Sequence, residues 1–97
     1  MAAILTGDAL YGTLAPRKVG TATVHDVVKL TYDPGTMDAP DYPGTIVGRI
    51  VQRDGLMFAR DVSSCGAPLR IPVGYRARLG NALDYAARFL LSENPAL

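Results

Sequence analysis

Thr45-Ile46-Val47-Gly48-Arg49-Ile50-Val51-Gln52-Arg53-Asp54-Gly55-Leu56-Met57-Phe58-Ala59-Arg60-Asp61-Val62 is the stretch on which the fold turns. β-Branched and aromatic residues crowd its two halves, and Arg53-Asp54-Gly55 between them is turn chemistry, so residues 45–62 read as a β-hairpin. Two registers compete. A two-residue Asp54-Gly55 turn sets Arg49 directly opposite Arg60, and like charges facing each other across a strand pair are unfavourable. A three-residue turn with Gly55 left-handed pairs Ile50 with Phe58, Gln52 with Leu56 and Ile46 with Val62. It gathers Ile46, Ile50, Leu56, Phe58 and Val62 on one face, and is the preferred reading.

An apolar sheet face needs a cover. Residues 76–92 supply one, because Leu79, Ala82, Leu83, Ala86, Phe89 and Leu90 recur at three- and four-residue intervals and form a stripe on an amphipathic helix. Upstream, residues 8–14 read as a first strand and Ala15-Pro16-Arg17-Lys18 as a turn. Thr21 to Tyr32 alternates with period two: Ala22, Val24, Val28, Leu30 and Tyr32 face inward, while Thr21, Thr23, His25, Lys29 and Thr31 face water. Asp26, facing inward, and Val27, facing outward, break the alternation, and a bulge or short turn near His25-Asp26 repairs both. Residues 33–44, with three prolines, two glycines and three aspartates, form a surface loop. Leu69-Arg70-Ile71 adds a short edge strand. The whole is one domain, 1–97, of the α+β class: an antiparallel sheet of about four to five strands with one C-terminal amphipathic helix packed on it. A small β-barrel with an appended helix is the competitor.

Composition narrows the function classes. Of the 97 residues 48% are hydrophobic and 20% charged, which suits a globular chain and not a disordered one. A net charge of +1 excludes a strongly basic protein. Its distribution is uneven, however. Residues 1–44 carry three cationic and five anionic side chains, whereas residues 45–97 carry seven arginines against four acids. One cysteine and one histidine point to a reducing, cytoplasmic setting and speak against a structural zinc site. The N-terminus lacks the basic start and long apolar core of a secretory signal, and no stretch reaches the ~20 apolar residues of a membrane span.

Motifs for chemistry are sparse. His25 and Cys65 are the residues from which a Cys-His mechanism would start, but Asp26, next to His25 on a strand, points to the opposite face and would not orient its ring. Asp33, Asp38 and Asp41 lack the ordered alternation of a calcium loop. Gly7 and Gly12 have the glycine spacing of a phosphate loop, with Thr13 where its lysine belongs. No catalytic residue, metal or cofactor is expected, and the chain reads as a non-enzyme. The arginines carry the positive signal. With Val51 and Met57 on the non-core side, Arg49, Val51, Arg53, Met57 and Arg60 form the candidate interface, since arginine and methionine are interface-prone. The expected function is a small protein-interaction module (adaptor, inhibitor or assembly factor) whose partner is another protein, possibly a second copy in a homodimer. The alternatives are a nucleic-acid-binding domain using the arginine-bearing hairpin, and a small ligand-binding or enzymatic domain with a pocket at a subunit interface.

Overall fold

A computed structural model describes residues 3–6, 9–33, 35–36, 38, 41, 44–62 and 68–91. Among these residues seven strands run in chain order: β1 (Ala3–Thr6), β2 (Ala9–Thr13), β3 (Arg17–Val19), β4 (Ala22–Leu30), β5 (Gly44–Arg53), β6 (Leu56–Asp61) and β7 (Leu69–Arg70). They form one curled sheet in the order β1-β2-β4-β5-β6-β7, with β3 also paired to β4, and every pairing is antiparallel. A C-terminal helix, α1 (Leu79–Ala86), follows and passes into a π-helical turn at Ala87–Leu91. The fold is thus α+β, an antiparallel sheet curled into a half-barrel with one C-terminal helix, as expected.

β2 and β3 behave as one interrupted strand. Tyr11, Gly12 and Thr13 pair with Lys29, Val28 and Val27, Leu14 N–H donates to the Asp26 carbonyl at 3.0 Å, and Arg17, Lys18 and Val19 resume against Val24, Thr23 and Ala22. Pro16, which has no N–H to donate, lies in the break. The expected turn at residues 15–18 is therefore an interruption. The chain reverses instead at Gly20-Thr21, where Gly20 takes φ +61°. A left-handed first residue in a two-residue loop matches the strand twist, and glycine reaches that conformation without a Cβ penalty.

The hairpin adopts the two-residue turn and not the expected three-residue one. Arg53 pairs with Leu56, Gln52 with Met57, Val51 with Phe58, Ile50 with Ala59 and Arg49 with Arg60. Asp54 and Gly55 sit at φ 52° and 75°, the two left-handed residues of a type I′ turn. Removing one residue from the loop turns β6 over. Met57 and Ala59 consequently enter the core, at 4% and 1% exposure, while Leu56, Phe58 and Arg60 move to the far face. The expected bulge lies a little further on, in β5: Val27 meets Gly48 but Val28 meets Ile46, leaving Val47 as the extra residue. Of the five residues assigned to the helix-side face, only Ile50 joins that core, and Ile46 and Val62 are exposed.

The core lies between α1 and one sheet face. Tyr11, Val27, Ile50, Met57, Ala59 and Ile71 meet Ala82, Leu83, Ala86 and Ala87. Val27, expected to point outward, is among the most buried side chains, and the helix packs on its side of β4. Val24 and Val28 are buried on the far face as well, so both faces of β4 are sequestered, as suits a sheet curling toward a barrel.

The helix begins later than expected. Val73–Tyr75 form a 3₁₀ turn, Arg78 is extended at φ −134°, and regular α-helix starts at Leu79. The guanidinium of Arg76, expected inside the helix, instead donates from Nε to the Ile71 carbonyl at 3.0 Å and from Nη1 to the Gly55 carbonyl at 2.8 Å, tying the hairpin tip down. At the other end the wider π turn slows the rotation of side chains about the axis. Phe89 therefore leaves the apolar stripe for the surface, 51% exposed, and Ala87 takes a place in the core. Phe89 stacks on Tyr85 at 4.7 Å, and Tyr85 on Tyr75 at 5.0 Å. No helix among the described residues is long and apolar enough to cross a membrane.

Candidate functional site

Cross-strand partners share a sheet face, so the pairings map the face away from the helix directly. One row across the strands reads Arg17, Val24, Val51, Phe58, Arg70. The next row, two residues along, reads Asp26, Arg49, Arg60, and on the other side Arg53 stands opposite Leu56. This face thus has a valine-phenylalanine middle enclosed by arginines. Arg49, Val51, Arg53, Phe58 and Arg60, together with Pro68, line an open concavity of about 310 Å³.

Four of the five residues singled out as a candidate interface, Arg49, Val51, Arg53 and Arg60, come together there. The fifth, Met57, does not. The two-residue turn sends its side chain into the core. Phe58, placed in the core by the sequence reading, takes its place on the groove floor, half-buried. The signal that would have found it was the Asp54-Gly55 dipeptide, the strongest short-range mark of a two-residue turn.

Asp26 is the acid of this face. Its carboxylate is 12% exposed; Arg17 donates to it from Nε at 2.9 Å and from Nη2 at 3.2 Å, and Arg49 Nε lies 3.5 Å away. The Arg17 hydrogen bonds hold the Asp26 pKa below its ordinary 3.8, burial pushes the other way, and the charges of Arg17 and Arg49 add to the lowering. Asp26 also explains how Arg49 and Arg60 tolerate direct opposition, because it neutralises Arg49 from the neighbouring strand. Among the described residues no carboxylate pairs with Arg53, Arg60 or Arg70. Three guanidinium groups on this face therefore remain available to an incoming acid.

His25 stands elsewhere. It pairs with Ile50 across the strands and shares the helix side of the sheet, half-buried, rather than facing water as expected. Its Nδ1 is buried with no hydrogen-bond partner among the described residues, and burial lowers its pKa from 6.5. Asp26 is on the opposite face, with no part in orienting the ring, and Cys65 lies outside the described residues. Because the folded state disfavours the imidazolium, the unfolded chain binds more protons below pH ~6.5, so stability falls as pH drops through that range. Urea midpoints measured at pH 8 and pH 5.5 are expected to show that fall, with a smaller one in His25→Thr. An equal fall in the variant would locate the titration elsewhere.

Of the acidic loop, Asp33 forms a local turn, accepting from Gly35 N–H at 2.8 Å through Oδ1, and no group of three or more potential metal ligands occurs among the described residues. No family model, no curated protein and no solved structure matches this chain.

Proposed function

We propose that this chain is a small non-catalytic protein-interaction module, an adaptor, inhibitor or assembly factor of the cytoplasm, and that its recognition surface is the arginine-walled face of the sheet. The observation carrying this reading is the convergence of Arg49, Val51, Arg53, Phe58 and Arg60 on one groove. Charged walls over an apolar floor are the composition of a protein-binding patch, where arginine and aromatic anchors contribute most of the affinity. The partner offers acid. Self-association through this face is disfavoured, since an isologous dimer sets a surface against its own copy and would bring arginine against arginine.

Nucleic acid is the weaker reading. The guanidinium forks of Arg49, Arg53 and Arg60 suit phosphates and guanine edges, although β5 and β6 are flanked by β4 and β7 and form no free ribbon. Also against it, Asp26 is a fixed carboxylate beside Arg49, and Phe58 alone among the described residues of these rows is aromatic, which provides little stacking. The test is to titrate the protein with acidic 12-residue peptides and with a 12-base-pair DNA duplex at about 50 mM and 150 mM salt. Saturable peptide binding that Arg60→Glu abolishes is expected. Tighter binding of the duplex, with a steep loss in salt, would transfer the assignment to nucleic acid. Absence of binding to both at the lower salt would remove the recognition face altogether.

A further inference from the structure

The spacing of the groove specifies more than a preference for acid. Arg49, Val51 and Arg53 alternate with Ile50 and Gln52 along β5, so all three project to the far face with the two-residue period of a strand. At ~3.3 Å per residue, the positions of Arg49 and Arg53 are roughly 13 Å apart, with Val51 midway. Phe58, directly across from Val51, widens that apolar midpoint, and Arg60, directly across from Arg49, doubles the cation at one end. Asp26 occupies Arg49. Each end therefore keeps one guanidinium for a ligand, Arg60 at one and Arg53 at the other.

An extended peptide laid along these strands has the same rise and the same alternation as β5 beneath it. Side chains at its positions i, i+2 and i+4 all face the groove. We infer that the groove recognises an extended segment of a partner protein carrying an acid, any residue, a large apolar residue, any residue, and a second acid. The acids meet Arg60 and Arg53, and the apolar side chain lies on Val51 and Phe58. This rests on the reading of the face as a protein-binding surface and adds to it the spacing of the ligand. A helix does not present these points within the same five residues, because four residues of helix advance only ~6 Å.

Fluorescence anisotropy with labelled peptides separates the two claims. One peptide holds Glu-Ala-Leu-Ala-Glu between glycine-serine flanks, and a second has the same composition with the glutamates adjacent. The spaced peptide is expected to bind about tenfold tighter, the yield of one additional charge-assisted hydrogen-bonded contact. Arg53→Ala should reduce that preference to about twofold or less while leaving the adjacent-acid peptide nearly unaffected, and Arg60→Ala should weaken both. Both residues are exposed, and an unchanged urea midpoint confirms that each variant folds. Equal affinity for the two peptides would overturn the spacing and leave acid recognition intact. Failure of both peptides at low salt, where the duplex binds, would overturn the protein-binding reading with it.

Discussion

Replacing Leu83 with alanine is expected to lower the unfolding free energy by about 3 kcal/mol, whereas Phe89→Ala should cost roughly 1 kcal/mol or less. The periodicity of the sequence places both in one stripe, and only their environments distinguish them. Leu83 is fully buried between Ala82, Ala86 and Ala87 on the helix and Ile50, Met57 and Ile71 on the sheet side. Its truncation removes apolar contact and leaves a cavity in a close-packed layer that can collapse only partly. Phe89 is 51% exposed and makes its ring contact with Tyr85 on the helix surface, so its loss opens no void. A domain of this size has about 5–10 kcal/mol in hand, and a loss of about 3 kcal/mol should also lower the melting temperature by roughly 15 °C. Urea titrations of the two variants measure the contrast. Equal destabilisation would mean that the helix continues without the π turn and keeps Phe89 in the core.

Asp26→Asn is expected to separate stability from binding. It removes the carboxylate that accepts two hydrogen bonds from Arg17 and neutralises Arg49, and it leaves Arg49 facing Arg60 uncompensated. The arginine side chains are 47% and 53% exposed, and solvent screening limits the loss to about 1–2 kcal/mol at neutral pH. The sign with pH follows from the lowered pKa. A carboxylate whose folded pKa lies below 3.8 contributes stability above that value and loses it as pH falls through the depressed folded value. The gap between wild type and variant should therefore be full at pH 7 and close in strong acid. Affinity should move the other way. With Asp26 neutral, Arg17 and Arg49 become free to meet a ligand's acids, and the spaced acidic peptide should bind a few-fold tighter. Weaker binding in the folded variant would mean that Asp26 holds the groove in shape and does not compete with its ligand.

The hairpin shows where reading along the chain succeeds and where it stops. Paired strands at residues 45–62 were legible because alternation and turn residues are local signals. The register was not. Taken as an isolated pair, Arg49 opposite Arg60 is a reason to reject the two-residue turn, and the compensating charge comes from Asp26, 23 positions before Arg49, on a strand whose register no local pattern reveals. The one-residue difference in the loop then exchanged Met57 for Phe58 at the candidate site. The same limit explains Val27 and His25. Both faces of β4 are buried, so alternation could not say which one receives the helix.

The amino-acid order by itself determined the α+β class, the strand-rich first two thirds, the closing amphipathic helix and the arginine excess on the hairpin, because composition, period and turn chemistry act over a few residues. The tertiary structure alone decided which face of the sheet is core, that Phe58 floors the groove, that Asp26 allows two arginines to stand side by side, and that Phe89 is at the surface. Each of those outcomes depends on a partner from a distant strand or on the phase of one helical turn. Free energy of that kind exists only once the segments have met.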